Sequence, residues 1–581
     1  MKGIDWTIVV AFVLLTLCIG LWTSRKAAVD KSSYFLGSRK MPWWLLGMSM
    51  VATTFSTDTP NLVTNIVRTS GVAGNWSWWS FLLTGMLTTF VYARLWRRLR
   101  VTTDVEFYEE RYAGKLALFL RGFRGIYLGV FFNVMIMGGV TLAAIKIGGV
   151  LFGISPVAVV FVAGLVTVAF SAAGGFLGVI ITDIVLFVTS IVGAILAAWF
   201  ALDHPSVGGL DGLLSHPAVA GKTSIFPDFS DPAAFIPLMI IPLTLQWWTV
   251  WYPGSEPGGG GYAAQRMLAA RNEQHAMGAS ALFNFTHYVV RPWPWIIVAL
   301  ASLIVFPDLE ALRTALPHVD ESIIGHDMAY AAMLSLLPTG IMGLVVASLI
   351  CAYISTISTH LNWGSSYLVN DIYLRFIRPD ASAKRQVMVG RVTTVCLMIL
   401  ACIVALILDD ALQFFRLLLT VGAGTGMLFL LRWFWMRINA WSELSAMIIS
   451  FVVAVTLEIV DPEVLQGWQR FVASVAITTI GWVTVTMCTA PTPSETVDVF
   501  KEKLGGGAAG IAPAMRLDLL MALMSSFAIY GLLFSIGSII YGDMKGLMIW
   551  LVVAAISAMI AFIAYRRRDE QIIGTLHSSD C

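Results

Sequence analysis

Between Ile341 and Tyr373 the chain reads IMGLVVASLICAYISTISTHLNWGSSYLVNDIY, an apolar run whose middle carries Ala352, Ser355, Thr356, Ser358 and Thr359. On a helix, positions i, i+3, i+4 and i+7 share a face. Ala352, Ser355, Thr356 and Thr359 therefore form one stripe, with Ser358 one turn from Ser355 at its edge. Uncharged oxygen donors at the depth of a bilayer suit a weakly held alkali cation. The competing reading is structural: such hydroxyls bond back to the carbonyl one turn earlier, or small residues let a neighbouring backbone approach.

Three further groups carry chemistry. In VATTFSTDTPNLV (Val51–Val63) six residues interrupt an apolar run: Thr53, Thr54, Ser56, Thr57, Asp58 and Pro60. Pro60 removes a backbone donor and disfavours helix at Thr59, and the nearby hydroxyls can rebond the freed backbone groups. Asp58 there would touch a solute or cap the half-helix that follows. Phe235–Tyr252 holds Pro237, Pro242 and the patch Gln246-Trp247-Trp248-Thr249. Trp247, Trp248 and Trp251 sit beside that second break, where an aromatic gate or solute platform competes with plain packing. Asp183, in GVIITDIVLF, is a carboxylate inside an apolar segment, and must be protonated, paired or bound to a cation. Lys146, Arg291 and Arg416 fall near predicted helix ends, where long cations snorkel, and His287 and His360 read as lone core histidines.

The elements that hold these residues are membrane helices. The 581 residues are 58% hydrophobic and 12% charged, whereas a soluble domain carries about 25% charged residues. By the ruler of roughly 20 apolar residues per span, about 15 stretches qualify. The second and seventh are the interrupted ones. Broken segments at matching places in two halves point to an inverted repeat with solute bound at the breaks. The predicted fold is an all-α polytopic membrane protein with a five-plus-five core. One helix precedes the core (1–30), the two repeats occupy 43–203 and 233–432, and about four peripheral helices (440–566) and a tail (567–581) follow.

Basic residues crowd alternate connections: Arg25, Lys26, Lys31, Arg39 and Lys40; Arg94, Arg97, Arg98 and Arg100; Arg266 and Arg271; Arg378, Lys384 and Arg385; Arg566, Arg567 and Arg568. Cytoplasmic loops carry such an excess, so the chain is expected in the cell membrane with its N-terminus outside and its C-terminus in the cytoplasm. Lys2 and Asp5 precede a first apolar run with no small-residue cleavage site after it, which reads as a retained helix. Thr489–Asp518 is expected to be a cytoplasmic segment in which PTPSETVDVF forms a short surface helix and LGGGAAG a flexible linker. The glycine run Gly258–Gly261 reads as a gating hinge.

Several classes are excluded by what the residues lack. Six scattered cysteines form no zinc, haem or disulfide pattern. GKTS at Gly221–Ser224 lacks the first glycine of a phosphate loop, since His216 stands there. No protease motif or aspartate pair suggests an enzyme. A formal charge of +2 gives no reason to expect nucleic acid as a partner, and no obligate protein partner is evident.

SSYFLGSRKMPWWLLGMSMVATTFSTD (Ser32–Asp58), GGFLGVIITDIVLF, AAQRMLAARNEQHA (Ala263–Ala276) and CAYISTISTHLN…VNDIY resemble, in order, the motifs of the sodium:solute symporter family, which includes sodium/glucose, sodium/proline and sialic acid symporters. The resemblance implies a leucine-transporter-like fold and sodium as the coupled ion. It places one sodium on the carbonyls of Ala52, Phe55 and Ala352 and the hydroxyls of Ser355 and Thr356. It places a second, present in some members, on Asp183, Ser355, Ser358 and Thr359. Solute would lie between the breaks, at Asp58, Thr59, Gln246, Trp247, Trp248 and Trp251. QWWTVWYPGSEPGGGG and the pair Asp58-Thr59 depart from the sugar transporters, so sugar specificity does not transfer. The expected function is sodium-coupled import of a sugar or zwitterionic nutrient by alternating access. A proton-coupled or uncoupled carrier, or a membrane sensor on the same fold, are the competing readings.

Overall fold

Pro60 sits in the first turn of a helix, where its missing N–H is tolerated, and the backbone breaks just ahead of that turn. In the computed structural model the helix Trp43–Thr54 ends at Phe55 (φ −90°, ψ 76°), and a new helix, Asp58–Ser70, begins three residues later. The structure describes residues 1–27, 31–251, 254–319, 321, 324–408, 421–459, 465–505 and 507–579. The second interruption is longer. Short helical turns from Pro232 to Thr244 carry Pro237 and Pro242, a tight turn spans Gln246–Trp248, and Thr249 is extended.

Among the described residues the backbone is helical, with one isolated bridge between Met41 and Ala270. Among the described residues ten helices are long and apolar enough to cross a membrane, against the about 15 stretches expected. Arg416 lies outside the described residues. Gly175, at φ 54° and ψ −162°, splits the long run Pro156–Leu202 into two helices; a side chain would be strained in that left-handed backbone. One expectation fails. LGGGAAG is no linker, since the helix Gly507–Ile540 already runs through Ala508 and Ala509. Alanine has high helix propensity, and the apolar helix that follows supplies the turns to extend.

The helix Ile341–Tyr367 is buried along almost its whole length, which explains why its polar residues are tolerated only with partners. It packs along the helix Gly175–Leu202, where the Ser190 hydroxyl donates to the Ser348 carbonyl at 3.0 Å. The first helix, Gly3–Ala27, docks beside both. Its Asp5 accepts hydrogen bonds from the backbone N–H groups of Gly340 (2.6 Å) and Gly343 (3.0 Å), satisfying orphan donors where Ile341–Tyr367 begins.

Charged contacts sort the loops into two ends. At one end Arg39 donates to the Arg100 carbonyl (2.8 Å), Arg97 to the Ala270 carbonyl (2.7 Å), and Arg98 pairs with Glu273 (2.9 Å). Asp518 there binds both Arg94 and Arg568 at 2.6 Å. At the other end Arg68 donates to the carbonyls of Ser302 and Phe306, both at 2.8 Å, and Lys222 donates to the Thr69 carbonyl (2.9 Å). Lys146 does not snorkel; it pairs with Asp327 at 3.0 Å while nearly buried. Four of the five basic connections thus meet at one end, through Arg39, Arg94–Arg98, Arg271 and Arg568.

Candidate ion and solute site

The last turn of Trp43–Thr54 leaves carbonyls without helical partners, as every helix end does. Their partners come from three directions. The Phe55 N–H folds back onto the carbonyls of Val51 (3.0 Å) and Ala52 (3.1 Å). Thr356, from the hydroxyl-rich helix, donates to the Thr53 carbonyl at 2.8 Å. Thr59 crosses the break to the Thr54 carbonyl at 3.4 Å. Ala52, Phe55 and Ala352 are all buried. Of the five residues expected around the first sodium, Thr356 reaches the break through the Thr53 carbonyl, the Ala52 carbonyl accepts from Phe55 N–H, and the Ser355 hydroxyl turns away.

Ser355 turns to Asp183, donating to Oδ1 at 2.7 Å. Ser49 donates to Oδ2 at 2.5 Å. Thr359 Oγ1 lies 3.0 Å from Thr53 Oγ1, while Ser358 bonds back to the Ser355 carbonyl at 3.1 Å, within its own helix. The four expected ligands of a second sodium are therefore split. Asp183 and Ser355 touch, Thr359 is next to the break, and Ser358 takes the structural role open to any helical serine.

Arg266 enters the same cluster. Counted by the sequence among the loop charges, it is 1% exposed. Its guanidinium donates to Thr359 Oγ1 at 2.8 Å and to Ser49 Oγ at 3.2 Å. The helix that carries it, Gly261–Ala269, folds back against the first half-helix instead of staying in the loop; Met41 N–H donates to the Ala269 carbonyl at 3.2 Å and fixes that return.

Beside the break lies a cavity of about 240 Å³. Asp58, Thr59 and Trp251 line it, as expected; Gln246, Trp247 and Trp248 do not. The tight turn Gln246–Trp248 points them elsewhere. Gln246 donates to the Ser77 carbonyl (2.6 Å), Trp248 to the Thr244 carbonyl (3.0 Å), and Trp247 packs with Trp248 in a core cluster. Trp251 stacks near Phe81, ring centroids 4.9 Å apart.

The rest of the lining includes residues read from the sequence as structural. Asn284, His287 and Arg291 project from one face of the helix beginning at Glu273. Their spacing of i, i+3 and i+7 is the same signal that marked the hydroxyl stripe, and it identifies them once it is sought. Arg291 does not snorkel. It is 1% exposed, donates to Thr54 Oγ1 at 2.6 Å, and lies over the rings of Phe55 (5.4 Å) and Trp295 (5.1 Å). Gly85 makes room for Asn284, whose Oδ1 would lie 1.9 Å from an added Cβ. Asp58 Oδ1, Asn284 Oδ1, His287 Nε2 and Arg291 Nε are buried here without a protein partner. Ser56 Oγ, Thr84 Oγ1 and Glu256 Oε2 are likewise unpartnered; buried polar atoms are nearly always bonded, so seven orphans around one cavity describe a site for a polar molecule. Glu256 also pairs with buried Arg124 at 2.6 Å.

A model of the Sodium:solute symporter family matches residues 34–450. The chain is 26% identical to a sodium/glucose cotransporter of Vibrio parahaemolyticus over 479 residues, covering 78% of this chain and 85% of that protein. It is 27% identical to sodium/myo-inositol cotransporter 2 of Oryctolagus cuniculus over 488 residues, covering 77% of this chain and 69% of that one. The structure of a Na+-coupled sialic acid symporter in a substrate-bound outward-open state superposes with a TM-score of 0.68, at 21% identity, covering 85% of this chain and 99% of the other.

Proposed function

The chain belongs to the sodium:solute symporter family, and from that premise we propose that it imports a small polar organic solute by coupling to sodium at the Thr53–Thr356 junction. Sodium-coupled solute symport is the activity of the family and of the relatives above; the solute and the residues are the proposal. One observation carries it: a hydroxyl of the buried helix already holds a carbonyl of the interrupted one at 2.8 Å. A sodium ion needs such oxygens from both helices, and the proposed set is the carbonyls of Ala52, Phe55 and Ala352 with the hydroxyls of Ser355 and Thr356.

Binding there ties the broken helix to the hydroxyl helix and favours the conformer in which solute fits. The solute is a polyol or zwitterion whose donors meet Asp58 Oδ1 and Asn284 Oδ1, with Thr59, Trp251, His287 and Arg291 around it. Release follows when the bundle rocks against its scaffold, and the two interrupted helices, five spans apart, support a five-plus-five arrangement for that motion. Ion and solute need only favour the same conformer for their fluxes to be coupled. Each charge carried gains roughly 2.3 kcal/mol per 100 mV of membrane potential. The basic end of the molecule is taken as cytoplasmic.

The test is uptake into proteoliposomes, with candidate solutes chosen by sodium-dependent thermal shift of the purified protein. An inward sodium gradient should drive accumulation, and a proton gradient without sodium should not. Accumulation driven by protons alone would refute sodium coupling and favour the proton-linked carrier.

A further inference from the structure

Around Asp183 the hydrogen bonds form one chain. Ser355 and Ser49 donate to its two oxygens, at 2.7 Å and 2.5 Å. Ser49 in turn accepts from Arg266 (3.2 Å), and Arg266 donates to Thr359 (2.8 Å), which lies 3.0 Å from the Thr53 hydroxyl. The oxygens of Thr359 and Ser49 that could face an ion accept from a guanidinium instead. Asp183 is 0% exposed and Arg266 is 1% exposed. One negative and one positive charge thus share a dry cluster, with a serine hydroxyl between them.

We propose that Arg266 is a tethered cation: in this conformation it fills the charge requirement of the second ion site, and sodium and the guanidinium occupy that site alternately. The reading rests on the sodium-coupled function proposed above and adds to it a residue that decides how many ions the protein holds. Three observations carry it. First, Arg266 donates to Thr359, one of the four ligands expected of a second sodium, so the ion and the guanidinium compete for the same lone pairs. Second, an added sodium would leave two positive charges facing one carboxylate in a region shut off from water, where an uncompensated charge is costly. Third, Arg266 rides on a short helix that follows a run of glycines. The helix Gly261–Ala269 follows Gly258 and Gly259, both at positive φ, and Gly261 itself (φ 52°) would set a Cβ 2.2 Å from the Gly254 carbonyl. At its far end the helix is held to Met41, just ahead of the first half-helix. A shift of that half-helix would carry Arg266 with it. Withdrawal opens the site to an ion, and return displaces the ion while keeping Asp183 compensated on the empty leg of the cycle.

The measurement is equilibrium binding of 22Na+ to purified protein without solute, for wild type, Arg266→Gln, Arg266→Lys and Arg266→Gln/Asp183→Asn. Wild type should hold one sodium per protein under conditions where Arg266→Gln holds two. Arg266→Lys, which keeps the charge, should stay at one, and the double variant should return to one. Gel filtration and melting temperature verify that each variant is folded; if Arg266→Gln does not fold, the Arg266→Lys and double variants still have to agree at one ion. Equal stoichiometry and affinity in wild type and Arg266→Gln would overturn the tethered-cation proposal. A wild type that binds no sodium would instead overturn the function beneath it, so the two failures are distinguishable.

Discussion

Thr356 donates to the Thr53 carbonyl at 2.8 Å, and this bond joins the buried hydroxyl helix to the turn at which the second membrane segment breaks. Both groups are buried. The contact therefore reports whether the break is closed, and an ion that engages the same oxygens reports on it too.

Replacing Thr356 with Val keeps the volume and deletes the donor. An unmade buried hydrogen bond costs about 1–3 kcal/mol. The half-saturating sodium concentration for uptake should rise about tenfold, since ~1.4 kcal/mol is a factor of ten, with the solute KM at saturating sodium little changed. An unaltered sodium dependence would remove Thr356 from the ion site.

Asp58 presents a buried, unpartnered Oδ1 to the cavity at the first turn of Asp58–Ser70. Asp58→Asn should weaken solute binding by about 1.5–3 kcal/mol, the worth of a hydrogen bond to a charged group. Sodium binding measured without solute should survive. Loss of both together would show that Asp58 shapes the break and does not read the solute.

Gly85 admits the Asn284 side chain at a distance no Cβ could share, 1.9 Å. Gly85→Ala should displace Asn284 and lower solute affinity. The second substitution Asn284→Ala in the same background should restore the melting temperature without restoring transport. Solute binding by Gly85→Ala equal to wild type would show that Asn284 does not face the solute.

Glu256, which lines the cavity, pairs with Arg124 at 2.6 Å, the two side chains being 2% and 5% exposed. Removing one partner of such a pair costs about 3–5 kcal/mol because it strands the other charge. Glu256→Gln should lower the melting temperature sharply, and Arg124→Met/Glu256→Gln should recover much of the loss. A double variant as unstable as the sum of the two singles would show that the two charges are not coupled.

How much of this was legible in the sequence follows from what each signal encodes. The break at Phe55–Thr57 was legible because proline restricts the backbone wherever it occurs, and the stripe from Ala352 to Thr359 because helical spacing fixes a face before packing does. Asp183 was legible as a charge with no place in an apolar segment. Arg266 was not, since hydropathy counts a positive residue after a span as a loop charge and does not encode that a 9-residue helix re-enters the protein. Asn284, His287 and Arg291 carry helical spacing, but the sequence reading takes His287 and Arg291 singly and passes over Asn284. Gln246, Trp247 and Trp248 were misplaced because a tight turn reverses side-chain directions over three residues, and sequence does not set its pitch.

The most direct test of the central claim needs no knowledge of the solute: saturable binding of 22Na+ to the purified protein, compared between wild type and Ser355→Ala/Thr356→Val. The account predicts saturable, sodium-selective binding in wild type and its loss in the folded double variant. Binding of equal stoichiometry and affinity in the two proteins would contradict it.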